Sequence, residues 1–174
     1  MARLLSSALV FALTGCGPFT FGTEVKGESV VAGNLLAPPL NVFPSIGGMN
    51  DLDFNANREF QNDKVTRDRV THVDVESVTF KILSPLDQDF SFLQSLQVVA
   101  RAGDLELLFA DKVNIGDLPL TAPNPILALD VREVDVTPFI TAPLVTVVLR
   151  GKGNQPSKDT RLEVKVKLRI SASP

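Results

Sequence analysis

The sequence predicts an all-β protein, an antiparallel sandwich of two sheets with a few short helical turns. Three observations lead to this class. Apolar and polar residues alternate with a period of two in several stretches, most clearly in residues 162–170. Turn-forming residues separate these stretches at intervals of about 8–12 residues. After residue 17, no stretch keeps the helical period of about 3.6 residues through three turns.

The C-terminal segment gives the clearest strand. Residues 162–170 read LEVKVKLRI, in which every even-numbered residue is apolar and every odd-numbered residue is charged. A strand would bury one set and expose the other, whereas a helix would scatter the apolar residues around its circumference. Residues 143–150 are apolar and β-branched, and residues 151–157 have the composition of a turn. We therefore expect these two strands to form a terminal hairpin.

Further strands follow from the same pattern. Ala102-Gly103-Asp104 separates residues 95–101 from residues 105–110 and predicts a second hairpin. Residues 73–83 predict a longer strand whose inward parity changes from odd to even, which a β-bulge near Glu76-Ser77 would explain. The other expected strands lie at 19–31, as one or two strands, and at 126–130. Short helical turns are expected at 66–70, 89–94 and 135–140.

This organisation favours one domain over residues 19–172, with about seven to eight strands joined by Greek-key, immunoglobulin-like connections. A closed barrel is the alternative. Residues 32–62 are rich in proline, glycine and asparagine and predict a long loop. Because Phe43, Phe54 and Phe60 are interspersed in this loop, we expect it to be ordered and held against the core.

The N-terminus has the pattern of an export signal. Arg3 is the only charged residue before Glu24, and residues 4–14 are mostly apolar. This run is too short to span a membrane, which takes about 20 apolar residues, but it fits a secretory signal peptide. It ends in Leu13-Thr14-Gly15-Cys16, which contains the single cysteine of the chain. These four residues resemble the lipobox of bacterial lipoprotein precursors.

The resemblance implies that residues 1–15 are removed, that Cys16 carries a diacylglycerol thioether, and that its new amino group is acylated. Residues 16–18 then form a short tether to a membrane, since two or more acyl chains anchor a protein stably. The resemblance implies the bacterial cell envelope. Gly17 replaces the aspartate of inner-membrane retention signals, which implies the outer membrane, on its periplasmic or surface face. An ordinary cleaved signal peptide and a buried apolar helix of a cytosolic domain are the alternatives.

Charge is unevenly distributed along the chain. The net charge of −3 excludes a generally basic nucleic-acid-binding protein. From Arg150 to the C-terminus, however, seven basic residues accompany two acidic ones. Most of these form a candidate contact with an anionic surface, such as lipid headgroups or an acidic partner. The alternative is a solvated face whose lysines protect an edge strand. The candidate residues are Lys152, Lys158, Arg161, Lys165, Lys167 and Arg169.

Metal and catalytic chemistry find little support. His72 is the one histidine, and lipidation of Cys16 leaves no free thiol, so we expect no transition-metal site. The sequence also contains no Gly-x-Ser-x-Gly, Gly-x-Gly-x-x-Gly or P-loop motif. We expect no catalytic residues, and no cofactor apart from the lipid on Cys16.

Calcium is a weak candidate, because it needs only oxygen ligands. Asp51, Asp53 and Asn55 match the first half of an EF-hand loop. Ala56 and Asn62 then stand where that loop requires glycine and a bidentate glutamate, so the match fails at its most specific positions.

The leading expectation is a lipid-anchored, non-enzymatic interaction or structural module that contacts another envelope protein. The chain has no tryptophan or tyrosine, which disfavours a carbohydrate-binding module. A carrier of a small apolar ligand or lipid is the second expectation. It requires a pocket between the sheets lined by Phe43, Phe54 and Phe60. An enzyme is the third and would require carboxylates with shifted pKa values in a concave site.

Overall fold

The computed structural model describes residues 18–34, 36, 38–40 and 43–173. The strands are β1 Phe19–Val31, β2 Val70–Ser84, β3 Leu93–Ala102, β4 Leu105–Val113, β5 Ile126–Ala128, β6 Asp130–Val131, β7 Thr146–Gly153 and β8 Thr160–Ala172. Sheet A has the strand order β1-β8-β2-β5 and sheet B the order β6-β4-β3-β7, with antiparallel pairing throughout. The predicted all-β sandwich is therefore confirmed, while Leu13-Thr14-Gly15-Cys16 lies outside the described residues.

Helical structure is limited to short pieces. The α-helices are α1 Arg58–Asn62 and α2 Thr137–Ile140, and 3₁₀ turns occupy Phe54–Ala56, Arg67–Arg69 and Ile115–Asp117. Helical turns therefore occur within 66–70 and 135–140, as expected. Residues 89–92 form a bend and a turn before β3 instead of a helix. Among the residues described, none of the helices is long and apolar enough to cross a membrane.

The first and last strands are neighbours. β1 pairs with β8 through thirteen consecutive residue pairs without a register shift. In an immunoglobulin constant-type domain the first strand lies beside the second, so the order of the strands here differs from that arrangement. In sheet B, Leu40 adds an isolated bridge to Gly153 of β7, at the free edge of that strand. With this bridge included, the order of the strands in the two sheets resembles a jelly roll, which is a sandwich of two Greek keys.

The predicted terminal hairpin is wrong. β7 pairs with β3 in sheet B, whereas β8 lies between β1 and β2 in sheet A. The intervening residues cross from one sheet to the other, and the N–H of Asn154 donates to the carbonyl of Phe92 at 2.8 Å on the way. Alternation shows which side chains of a strand are buried, but it does not identify the neighbouring strand. For the same reason the single strand expected at 126–130 is divided between β5 in sheet A and β6 in sheet B.

Two local predictions are confirmed. The register of β2 against β8 shifts between Val75 and Ser77, where the change of parity required a bulge. β3 and β4 form the second hairpin, and Gly103 in its turn has a φ of +56°. Glycine adopts this left-handed conformation without the steric cost that a side chain would add.

Apolar residues from the loop close one side of the core. In sheet A the even-numbered residues of β8 are buried, as the alternation requires. Ile46 and Met49 of the loop are fully buried in the same core, and Leu40 nearly so. Backbone bridges join this segment to β1 through Glu28–Gly47 and to Val145, the residue before β7, through Leu52. Each such side chain contributes about 1.5–3 kcal/mol when it is buried, so the loop is part of the fold.

Candidate functional site

The basic residues of β8 lie on the outer face of sheet A, where acidic residues of neighbouring strands stand beside them. Arg161 and Lys165 pair with Glu28 and Glu24 of β1, and Arg169 pairs with Glu76 of β2. Lys158, in the connection before β8, pairs with Asp87 at 2.6 Å. Opposite charges therefore alternate across this face. An anionic partner would have to compete with these carboxylates for the cations.

Lys152 and Lys167 differ from the other four candidates. Lys152 lies on β7 opposite Ser95, in sheet B, so the fold does not bring it to the face that carries Lys165. Lys167 is on that face, and within the described residues it makes no ion pair of 4 Å or less. It faces Glu24 across the β1–β8 pairing.

Glu24 is the most connected carboxylate of this face. Lys26 donates to it at 2.6 Å, and Lys165 lies 3.7 Å away. The hydrogen bond from Lys26 lowers the pKa of Glu24, burial opposes this effect, and the charges of Lys165 and Lys167 lower the pKa further. Glu24 is therefore ionised at neutral pH, as an acidic group at the edge of sheet A.

The three calcium candidates have structural roles. Asp53 accepts the N–H of Asn55 at 2.9 Å and Arg67 Nη1 at 3.2 Å. Asn55 Oδ1 accepts the N–H of Arg67 at 2.9 Å, so both side chains fasten the loop to Arg67. Asp51 has a φ of +51°, and its N–H donates to Thr146 Oγ1 at 3.1 Å. Across residues 18–173, as far as they are described, no group of three or more His, Cys, Asp or Glu side chains is arranged to hold a metal ion.

His72 belongs to an exposed pair near the start of β2. Its Nε2 lies 3.0 Å from Asp74 Oδ1, and about half of each side chain is exposed. Glu133 and Asp135 line the same shallow groove, a proximity that sequence reasoning missed because they lie some sixty residues away along the chain. The hydrogen bond from Thr137 lowers the pKa of Asp135, and the charge of His72 contributes least. Within the described residues, the hydrogen-bond partner of His72 is the Asp74 carboxylate and not a hydroxyl group.

The three phenylalanines proposed for a pocket do not line one common space. Phe54 and Phe60 pack together with ring centroids 5.6 Å apart, and Phe60 also meets Phe21 edge-on at 5.3 Å. Phe43 instead lies against Gly151 of β7, where its ring fills the space that a Cβ would occupy. All three rings are buried, but Phe54 and Phe60 pack beside β1, whereas Phe43 packs beside β7.

A small apolar cavity does exist between the sheets. Its volume is about 30 Å³, and every residue of its lining is apolar, including Val25, Leu52, Phe54, Phe139 and Val166. By comparison, an engineered cavity of about 150 Å³ accommodates benzene. The space seen here is too small for an acyl chain.

A slot runs beside this cavity, at the outer edge of β1. It has a volume of about 370 Å³ and lies between Glu24–Lys26 and the loop residues 48–57. Val25, Leu52 and Phe54 line both the slot and the cavity, so the slot has an apolar floor. Asp51 and Asp53 stand at its rim. No local pattern predicts this slot, because its two walls are distant in sequence and the Glu28–Gly47 bridge holds the loop beside β1.

Comparisons with known proteins identify no family. No family model matches the chain, and no curated protein matches it. Among solved structures, the chain is similar to one from a cryo-EM study of Mud crab tombus-like virus. The identity is 12%, the alignment covers 97% of this chain and 95% of that chain, and the TM-score is 0.33. A superposition this loose supports no conclusion about the fold or function of this protein.

Proposed function

We propose that the protein is a lipid-anchored, non-enzymatic interaction module of the bacterial envelope. The observation that carries the proposal is where the first described strand begins. β1 starts at Phe19, three residues after Cys16. A chain cleaved before Cys16 would therefore keep all eight described strands, and the lipid would sit directly beside β1.

The short tether has a geometric consequence. A chain of three residues spans at most about 11 Å, so lipidation of Cys16 would hold the start of β1 close to the membrane. Val70 at the start of β2 pairs with Ala172, as does Phe19, and therefore lies at the same end of the sandwich. The opposite end, with Ser84 and the Lys158–Asp87 pair, would face away from the membrane.

The surface chemistry supports binding over catalysis. Three cations of β8 on the outer face of sheet A, Arg161, Lys165 and Arg169, have carboxylate partners, and the His72–Asp74 pair is exposed on a strand. Such a face presents charges of both signs to a partner protein, an arrangement that favours specificity in association.

The second candidate, a carrier of an apolar ligand, rests on the wholly apolar lining of the cavity. Its volume of about 30 Å³ is the argument against it. A carrier would have to open the interior substantially. Titration with a fluorescent fatty acid tests this, and we expect no saturable binding. Binding with one site per protein would instead favour the carrier.

Cellular fractionation tests the anchor. Cys16→Ser removes the sulfur that would carry diacylglycerol, so we expect the protein to leave the membrane fraction and to lose label from radioactive palmitate. Thr14→Ser is the matched control, because it keeps a small residue two positions before the cysteine, and we expect it to remain membrane-bound and labelled. Membrane association and labelling of the Cys16→Ser protein would contradict the lipid anchor.

A further inference from the structure

The outer edge of β1 carries unpaired backbone groups. Both the N–H and the C=O of Glu28 point away from β8, because they bond to Gly47 at 3.1 and 2.7 Å. Bonding direction alternates along a strand in an antiparallel pair, so Thr20, Gly22, Glu24 and Lys26 also point their N–H and C=O groups outward. Within the described part of the chain, none of these outward groups has a backbone hydrogen bond. Four alternate positions of this edge therefore lack a backbone hydrogen-bond partner, and at the last of them the carbonyl oxygen of Lys26 lies beside Gly48 of the loop.

The other three edges of the sandwich are protected. β5 and β6 are edge strands of three and two residues, too short to template a partner. The edge of β7 is covered in part by the loop, through Leu40–Gly153, Met49–Val147 and Leu52–Val145 contacts. β1, in contrast, has thirteen residues and no bulge against β8. Natural sheets usually blunt so long and regular an edge, and here the loop forms backbone hydrogen bonds with it at Glu28.

The slot supplies side-chain contacts beside these backbone groups. An added strand along Glu24–Lys26 would point alternate side chains toward the floor formed by Val25, Leu52 and Phe54. At the rim, Asp53 is already paired with Arg67, but Asp51 is exposed, and within the described residues it has no ion pair. A cationic side chain is the complement of the Asp51 carboxylate.

We propose that the edge of β1 from Thr20 to Lys26 binds an extended peptide segment of a partner protein as an added strand. One apolar side chain of this segment packs on Val25, Leu52 and Phe54, and a basic side chain pairs with Asp51. Main-chain hydrogen bonds give such a complex its affinity, and the pockets for alternate side chains give its specificity. The inference rests on the proposed interaction role but does not require the lipid.

A second copy of the chain fits this edge less well. The antiparallel register that sets Glu24 against Lys26 of a copy would place Gly22 of that copy opposite Glu28. Gly47 already occupies that position. The neighbouring register sets Glu24 against Glu24, a like-charge pair that is destabilising. These two registers are therefore disfavoured for a second copy, and the Asp51 carboxylate, which has no ion pair among the described residues, points to a basic segment of a different chain.

Peptide selection tests the proposal. A random library of linear peptides is displayed and selected on the full-length expressed protein, as processed by the cell. We expect binders with alternating apolar residues and at least one lysine or arginine. N-methylation of a binder's backbone amide within the apolar stretch should weaken binding by about tenfold or more, since it removes a main-chain donor. Unchanged binding after N-methylation would overturn the proposal, and so would a selection that yields no binder.

A pair of variants locates the binding edge. Glu24→Pro removes an outward N–H without removing a hydrogen bond to β8, and proline is tolerated where an edge N–H faces solvent. Glu24→Ala removes the same side chain but keeps the N–H. We expect about tenfold weaker peptide binding for Glu24→Pro relative to Glu24→Ala. Equal affinities would overturn the proposal, as would dimerisation that Glu24→Pro abolishes. The N-methylated peptides keep the test decisive if Glu24→Pro does not fold, and fractionation of Cys16→Ser reports on the anchor separately.

Discussion

Glu28 and Gly47 exchange two backbone hydrogen bonds, and this pair marks the point where the edge of β1 changes from covered to open. On the side toward Val31, Ser29 Oγ donates to the carbonyl oxygen of Pro44 in the loop at 3.4 Å. On the side toward Thr20, the outward backbone groups lack backbone partners within the described residues. The same strand thus holds the loop with one part of its edge and offers the other part to a partner.

Hydrogen exchange tests the open edge in the protein alone. We expect the outward amides of Gly22, Glu24 and Lys26 to exchange rapidly, because no acceptor protects them. The amides of Thr23 and Val25 point toward β8 and should exchange more slowly by about tenfold or more. Residue-resolved exchange measured by NMR gives this comparison. Similar protection at odd and even positions would mean that the edge is covered.

Gly27 tests the contact between β1 and the loop. A Cβ at this position would lie 2.5 Å from the carbonyl oxygen of Gly47 and 2.5 Å from Ile46 Cγ2. We expect Gly27→Ala to lower the free energy of unfolding by about 1–3 kcal/mol through overpacking, as measured by urea denaturation. Gly22→Ala is the control on the same strand, because its Cβ would have only Leu168 O nearby, at 3.9 Å. Equal stability of the two variants would show that the loop does not press on β1.

The parity of β8 can be tested with two neighbouring substitutions. Val166 is 4% exposed and lines the interior cavity, whereas Lys167 is exposed on the outer face. Val166→Lys places an ammonium group in an apolar site and should cost about 3 kcal/mol or more. Lys167→Val should change the free energy of unfolding by less than about 1 kcal/mol. Thermal and urea unfolding measure both, and comparable losses would contradict the assigned faces.

Acid should weaken the fold through its paired carboxylates. The hydrogen bond from Arg132 Nε, at 2.7 Å, lowers the pKa of Asp111 below its ordinary value of 3.8, against the opposing effect of burial. A carboxyl with a lowered folded-state pKa stabilises the protein above its unfolded pKa, and this contribution is lost as pH falls through the folded value. We expect the free energy of unfolding to decline below about pH 4. The free energy of unfolding of Arg132→Gln should decline less over the same interval. An identical decline would show that the Asp111–Arg132 pair does not cause the loss of stability.

Gly17 tests the proposed membrane. The resemblance to lipoproteins implies that an aspartate after the lipidated cysteine retains the protein in the inner membrane of an enterobacterial host. We expect Gly17→Asp to shift the protein from the outer- to the inner-membrane fraction of a density gradient, with Gly17→Ser as the control that does not shift. An outer-membrane location for both variants would show that the residue after Cys16 does not decide in which membrane this protein resides.

Much of the fold could be predicted from local pattern. The alternation in LEVKVKLRI specified β8, and the change of parity at Glu76-Ser77 specified the bulge in β2, because both depend only on which side chains the core accepts. Pairing partners could not be predicted in this way. The turn-like residues after β7 cross between the sheets instead of closing a hairpin, so the expected β7–β8 pair is absent from the structure.

The candidate site residues were likewise predictable only in the part that depends on local pattern. Sequence identified the cations of β8 as outward-facing, but their carboxylate partners Glu24, Glu28 and Glu76 lie on strands distant in sequence. Proximity along the chain predicts that Lys152 lies with them, but Lys152 lies on β7 in the other sheet. The open edge of β1 was beyond prediction, since the identity of an edge strand depends on the complete order of both sheets.

The mass of the N-terminal peptide of the mature protein tests the anchor most directly. The protein would be purified from host membranes in detergent, digested and measured by mass spectrometry. We expect a peptide that begins at Cys16 and carries diacylglycerol together with an amide-linked acyl chain. A peptide that begins at Met1, or one that begins after cleavage but has an unmodified Cys16, would contradict the lipid anchor and with it the proposed place of this protein in the envelope.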